Sequence, residues 1–141
     1  MRKLNFVLLV LAAGLVPAVR AQAPQVIVIA NPGVKATEIS KSDLRDVFNG
    51  SATTMRDGTR VVPILLKAGT AHMEFLQVYI GKNDAAYRAG WRSLVFSGQA
   101  AMPKTLDGEA AEVDFVAHNE GAIGYIGAST PHAGVKVLAV R

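Results

Sequence analysis

Gln25-Val26-Ile27-Val28-Ile29-Ala30, closed by Asn31-Pro32-Gly33, is the stretch on which the fold turns. Six residues dominated by β-branched apolar side chains, with no polar alternation, predict a strand buried on both faces. The Asn-Pro-Gly run that follows ends the strand with turn chemistry. A doubly buried strand needs layers on either side, so the segments around it should supply helices.

Downstream, Ile39-Ser40-Lys41-Ser42-Asp43-Leu44 has the signature of a helix start. Ser40 is placed to cap it, Asp43 to reach back in the manner of a capping box, and Ile39 with Leu44 to form a hydrophobic staple. Leu44, Val47 and Phe48 share one face, and Gly50 marks the stop. After the Asp57-Gly58 turn, Val61 to Leu66 reads as a strand, with Pro63 at an edge or a bulge because it cannot donate to a ladder. Gly69-Thr70 opens a second helix to about Ile80, with Met73, Leu76 and Ile80 on its apolar stripe. Asn83 or Asp84 caps a third, whose face carries Tyr87, Trp91, Leu94 and Val95. A fourth is expected from Thr105 to about His118, with Ala110, Val113, Val116 and Ala117 inward. Ala122 to Ile126 and Gly134 to Val140 are the last strands. The expected architecture is α/β, a central mixed sheet flanked by helices in one domain.

Upstream of Gln25 the chain changes character. Arg2 and Lys3 precede Leu4 to Val16, an apolar run broken only by Asn5 and Gly14, and Pro17 and small residues follow. This order is that of a secretory signal peptide. The run is shorter than the ~20 residues of a membrane-spanning helix. Cleavage after Ala21 gives residues 1–21 as the signal and 22–141 as the exported domain; cleavage after Ala23 also fits the small-x-small rule, but would leave Pro24 behind the cut. The alternative is an uncleaved N-terminal anchor. Export implies the periplasm, with no stable membrane span once the signal is removed.

The formal charge of +4 belongs largely to that leader. Without Arg2, Lys3 and Arg20, the 15 basic residues become 12 against 11 acidic, a net +1. The basic residues are scattered, which argues against nucleic acid as a partner. With no cysteine, disulfides, thiolate metal sites and cysteine nucleophiles are excluded. His72, His118 and His132 lack metal-ligand spacing and are expected at the surface. No serine elbow or nucleotide-type phosphate loop is present. The acidic residues mostly flank helices, where they serve the helix ends. No catalytic residue, metal or cofactor is therefore expected.

Leu66-Lys67-Ala68-Gly69-Thr70-Ala71-His72 holds the chemistry that remains. A strand passes through glycine into a helix, whose first N–H groups lack acceptors and carry partial positive charge. Gly69, Thr70 and Ala71 can present amides, Thr70 a hydroxyl, and Lys67 a charge, together making an anion cradle. The same residues also fit a plain reading in which Thr70 caps the helix and Gly69 makes the bend. Asn31, at the end of the first strand, is a second candidate for ligand contact, or simply a turn residue.

Four segments in order carry a resemblance. Ile29-Ala30-Asn31-Pro32 followed by Ser40 to Gly50 is similar to the "L-s-x-x-x-L-x-x-I-F-x-G" segment of phosphate ABC-transporter substrate-binding proteins. Asp57-Gly58 with Val61-Val62-Pro63-Ile64 resembles the strand leading to their ligand loop. Trp91 with Val95-Phe96-Ser97-Gly98 and Pro103 resembles short members of that group. Asn119-Glu120-Gly121-Ala122-Ile123-Gly124-Tyr125 resembles their "n-p-G-a-I-G-Y" signature. The likeness covers roughly residues 26–130 and implies one lobe of a type 2 periplasmic binding protein, non-catalytic, binding inorganic phosphate or a similar oxyanion. It implies as partners an ABC transporter permease or, if capture has been lost, an envelope sensor protein. Two departures stand out. The chain has room for one lobe rather than two, and Gly69-Thr70-Ala71-His72 stands where the family has Gly-Ser-Gly-Thr.

Overall fold

The computed structural model describes residues 25–141 and, before them, only Gly14 and Pro17. The export signal expected over residues 1–21 otherwise lies outside the described residues.

Val26–Ala30 forms β1, at the centre of a five-stranded sheet. Around it stand β2 (Glu38–Ile39), β3 (Val62–Pro63), β6 (Ala122–Gly127) and β7 (Lys136–Val140), in the order β2-β7-β1-β6-β3. β1 runs antiparallel to both β6 and β7, while β3 is parallel to β6 and β2 parallel to β7. The expected mixed sheet is therefore present. A separate parallel pair joins β4 (Leu65–Leu66) to β5 (Thr105–Leu106). The helices are α1 (Lys41–Phe48), α2 (Thr70–Phe75), α3 (Asp84–Phe96) and α4 (Glu109–His118); α2 runs on into a π-helical turn at Leu76–Ile80.

Alternation along the strands divides the core. Val26, Val28 and Ala30 of β1 and Ile123 and Tyr125 of β6 face a larger cluster with Leu44, Val47, Phe48, Phe75, Tyr87 and Trp91. Ile29 and Ile126 face the opposite way, onto Val113 and Val116 of α4. One face of the sheet is thus covered by α1–α3 and the other by α4. The Phe75 and Tyr125 rings stack at 3.9 Å in the larger cluster. Tyr87 Oη and Trp91 Nε1 both donate to Phe48 O, closing the end of α1 against α3.

Local capping behaves largely as the side chains dictate. Ser40 Oγ accepts from Asp43 N–H at 3.0 Å, and Ile39 and Leu44 are buried as a staple. The Asp43 carboxylate binds Arg56, which holds its pKa below the ordinary carboxylate value. Asn83, not Asp84, caps α3 by accepting from Ala86 N–H.

Several expectations need correction. The strand expected over Val61 to Leu66 is split at Ile64. β3 stays on the main sheet as its edge, where Pro63 lacks only a donor that an edge does not need. β4 leaves to pair with β5. That pairing also converts Thr105 and Leu106 from helix to strand: Leu65 N–H and Lys67 N–H donate to Lys104 O and Leu106 O, so α4 begins only at Glu109. Met73 is exposed rather than on the apolar stripe, because His72 takes the inward position. In α4 Ala110 is exposed and Ala117 only half-buried, while Glu112 is buried. Val95, expected inward on α3, is exposed.

Glu112 faces inward for an identifiable reason. Residues 121, 123, 125 and 127 turn their backbone groups towards the β3 side of β6, but β4 has departed there. Tyr125 N–H donates instead to Glu112 Oε1 at 3.2 Å, and Gly127 N–H to Glu109 Oε1. Two carboxylates one helical turn apart on α4 thus serve two alternate amides of the strand. Gly124 permits the approach, since a Cβ there would overlap Glu112 Oε1.

Candidate functional site

The Gly69–Thr70 corner follows β4 at the surface. Gly69 is the cap residue of α2, with φ +104° and ψ 172°, a conformation that favours glycine. A Cβ added there would meet nothing within 4 Å, so the corner is open. No side chain caps the helix. Its first backbone bond is Met73 N–H to Gly69 O at 3.0 Å. The N–H groups of Thr70, Ala71 and His72 therefore precede the first intrahelical bond. Thr70 is the first helical residue, not the cap, and is exposed, as are Lys67 and Gly69; Ala71 is buried. The plain capping reading of Thr70 is thus replaced by one in which Gly69 occupies the cap.

Two charged neighbours set the local field. Lys67 Nζ lies 3.8 Å from Asp107 Oδ1, both at the surface, so the carboxylate offsets part of the lysine charge. Arg88 of α3 donates from Nη2 to Lys67 O at 2.6 Å, bringing a second cation to the corner. Its Nε is held by Asp84 at 3.0 and 2.9 Å. Burial raises the Asp84 pKa, but the bonds and charges of Arg88 and His72 outweigh it and leave the carboxyl below its ordinary value.

His72, expected at the surface, is 1% exposed. Its Nε2 lies 2.7 Å from Asp84 Oδ1 and its Nδ1 2.6 Å from Tyr125 Oη, which also accepts from Leu66 N–H at 3.1 Å. The donor inventory assigns a directed chain. Leu66 N–H donates to Tyr125 Oη, Tyr125 O–H to His72 Nδ1, and His72 Nε2–H to Asp84. Both histidine nitrogens are satisfied, which lets a polar ring occupy the core side of α2. This chain ties the floor of the corner to β6 and α3.

Asn31 lies elsewhere. Because β1 is antiparallel to β6 while β3 is parallel to it, the C-terminal end of β1 meets the start of β6, where Asn31 N–H donates to Ala122 O. The start of β1 instead meets α2, where Gln25 N–H donates to Glu74 Oε1. Asn31 therefore lies at the end of β1 away from the end that meets α2, the helix Gly69 opens. The Asn31 amide donates to Val116 O and Ala117 O, and its Oδ1 accepts from Gly33 N–H. It fastens the last turn of α4 to the β1 turn.

The structure brings together Lys67, Gly69, Thr70 and Ala71, and leaves Asn31 apart. Sequence reasoning missed Arg88 and the inward His72. The i, i+4 spacing of Asp84 and Arg88 was visible, but nothing local places Arg88 against Lys67. A cavity of about 390 Å³ lies elsewhere, walled by Lys35, Ser40, Asp43, Arg56 and Arg141 among others. Its charges are largely paired with each other, Arg56 with Asp43 and Arg141 with Glu38. Among the described residues, no group of three or more His, Asp or Glu side chains could hold a metal ion, and no helix is long and apolar enough to cross a membrane.

A mixed sheet clad by helices is an arrangement this chain shares with part of several larger solved structures, consistent with one lobe of them. A protein of Clostridium perfringens assigned as a phosphate ABC transporter substrate-binding protein, with bound phosphate, superposes at a TM-score of 0.64 and 17% identity over 82% of this chain and 44% of that one. An ABC-type phosphate transport receptor of Vibrio cholerae gives 0.55 at 12% identity, over 82% of this chain and 46% of that one. PstS of Borrelia burgdorferi gives 0.54 at 15%, over 83% and 47%. The chain thus spans less than half the length of these structures. No protein-family model matches it, and no curated protein matches it in sequence.

Proposed function

We propose that this chain is a non-catalytic, exported single lobe that binds phosphate or a similar oxyanion weakly through Lys67, Gly69, Thr70 and the Ala71 amide. Residues 1–21 serve as the signal peptide, residues 22–141 form the domain, and the working compartment is the periplasm. The observation that carries the reading is the Gly69 corner, where exposed Gly69 and Thr70, ahead of the first intrahelical bond, follow exposed Lys67, whose carbonyl Arg88 binds. Asn31 contributes by holding the β1 turn rather than by touching the same ligand.

Weakness follows from exposure. In a two-lobe protein, hinge closure surrounds the ligand and excludes water. On an open surface the charges stay screened, so millimolar dissociation is expected, about 4 kcal/mol. Titration calorimetry with phosphate, sulfate and small carboxylates tests this; absence of heat at tens of millimolar phosphate would reject it.

A second reading rests on the coverage, since the chain spans less than half of its structural neighbours. The lobe would then dock on an ABC transporter permease or an envelope sensor without capturing solute. Crosslinking in envelope preparations that recovers neither partner, together with measurable anion binding, would exclude it.

A further inference from the structure

We propose that His72 is a proton-operated latch on the Gly69 corner: neutral, it closes a ring of hydrogen bonds around residues 66–72, and a proton taken up at Nδ1 opens that ring at Leu66. The ring passes through both ends of the corner. Leu66 N–H donates to Tyr125 Oη at 3.1 Å, and Tyr125 Oη lies 2.6 Å from His72 Nδ1. His72 Nε2 lies 2.7 Å from Asp84 Oδ1. Arg88 Nε donates to the same carboxylate, and Arg88 Nη2 donates to Lys67 O at 2.6 Å. The Leu66–Lys67 peptide completes the circuit. β4, the first turn of α2, the start of α3 and β6 are thereby joined through one imidazole.

The ring closes with one arrangement of protons. The Asp84 carboxylate can only accept, so His72 Nε2 carries a hydrogen and Nδ1 is left to accept the Tyr125 O–H. Burial raises the Tyr125 pKa, so the phenol keeps its proton. A second proton on His72 turns Nδ1 into a donor. Tyr125 Oη then faces N–H groups from both His72 and Leu66, which fill its two lone pairs and leave its own hydrogen without an acceptor. Tyr125 is fully buried, stacked on Phe75 and edge-on to Phe48, so its surroundings offer no substitute. The other ionisable groups packed about the ring are few. α3 brings Asp84, Tyr87 and Arg88, and Glu112 of α4 holds the Tyr125 N–H from behind. β1 and β4 carry no ionisable residue, and α1 meets Tyr125 with Phe48. Asp84 is therefore the anion that a charged His72 meets, and their bond is strengthened by charge. The neutral bond from Leu66 is the weaker one and gives way, which frees the Lys67 end of the corner.

The test follows the nitrogen-labelled full chain by NMR from about pH 8 to pH 5, the range in which histidine side chains change charge. Long-range proton–nitrogen spectra read the His72 ring, and backbone spectra read the Leu66 amide. At the alkaline end His72 should be the Nε2–H tautomer. As it gains a proton, the Leu66 amide resonance should move with the same midpoint. The protection of that amide against hydrogen exchange should fall about tenfold, the loss of one buried hydrogen bond. The Val28 amide, in the middle of β1, should keep its protection. His72→Gln keeps a donor for Asp84 but cannot take the proton, so the Leu66 amide should become indifferent to pH. Asp84→Asn keeps an acceptor for Nε2 and removes its charge. It should move both midpoints together to lower pH, which keeps the coupling readable if the first variant fails to fold. The proposal is overturned if His72 is the Nδ1–H tautomer at the alkaline end, or stays neutral until the fold is lost. It is equally overturned if Leu66 stays protected while His72 titrates, if the two midpoints separate in Asp84→Asn, or if Val28 loses protection in step with Leu66. These readouts use no ligand, so anion capture at the corner can fail without touching the latch.

Discussion

Replacing Glu112 with Gln should make the protein more stable at neutral pH and flatten its stability between pH 5 and 8. Glu112 is fully buried; Oε1 accepts from Tyr125 N–H, and Oε2 has no hydrogen-bond partner. Burial pushes its pKa from 4.5 up to about 8, the Tyr125 N–H offsetting part of this and the charge of Glu109 adding to it. In the folded state the carboxyl therefore keeps its proton where the unfolded chain has lost it. A raised pKa stabilises the fold fully below about pH 4.5, and that contribution is lost as pH rises to about 8. Each pH unit inside the window is worth about 1.4 kcal/mol, so about 4 kcal/mol has gone by pH 7.5. Glutamine keeps an oxygen for Tyr125 N–H and cannot ionise. Its buried amide donors replace a carboxyl O–H, so the two proteins should be similar near pH 4.5. Urea unfolding at half-unit steps from pH 4.5 to 8 provides the curve, and the difference between variant and parent removes the other titrating groups. A difference that stays constant across the window refutes the reasoning, because the carboxyl would then ionise as easily folded as unfolded.

Thr70→Ala should weaken phosphate binding by roughly 1–2 kcal/mol and leave the melting temperature nearly unchanged, because Gly69 rather than Thr70 is the cap; calorimetry and melting on one preparation check both. Asp107→Asn removes a carboxylate 3.8 Å from Lys67 Nζ and should tighten phosphate binding by a few-fold, with the gain shrinking in high salt. Gly124→Ala should destabilise the fold by about 1–3 kcal/mol, and urea unfolding in a Glu112→Ala background should show most of that cost gone, since Glu112 is what the new methyl meets.

What could be read in advance followed the range of the interactions involved. α1 and α3 are set by caps and spacing within a few residues, and Ser40, Asn83 and the Leu44-Val47-Phe48 face declare them. β1 and β6 announce themselves by apolar runs. β2 and β5, two residues each, exist only because a distant strand offers backbone groups, so no local pattern marks them. His72 and Glu112 are polar residues in apolar places, and their partners, Asp84, Tyr125 and the β6 amide, are 12, 53 and 13 residues away. The Gly69 corner was visible because glycine followed by a helix start is a local motif. That Asn31 lies at the end of β1 away from α2 required knowing that β1 runs against β6.

Ala122–Gly127 is the kind of apolar segment that templates its own stacking when its amides are left open. With Glu109 and Glu112 occupying those amides on one flank and β1 on the other, an incoming chain finds no ladder to extend. Solubility is then linked to α4, because anything that withdraws its two glutamate side chains uncovers an apolar strand flank able to pair with another chain.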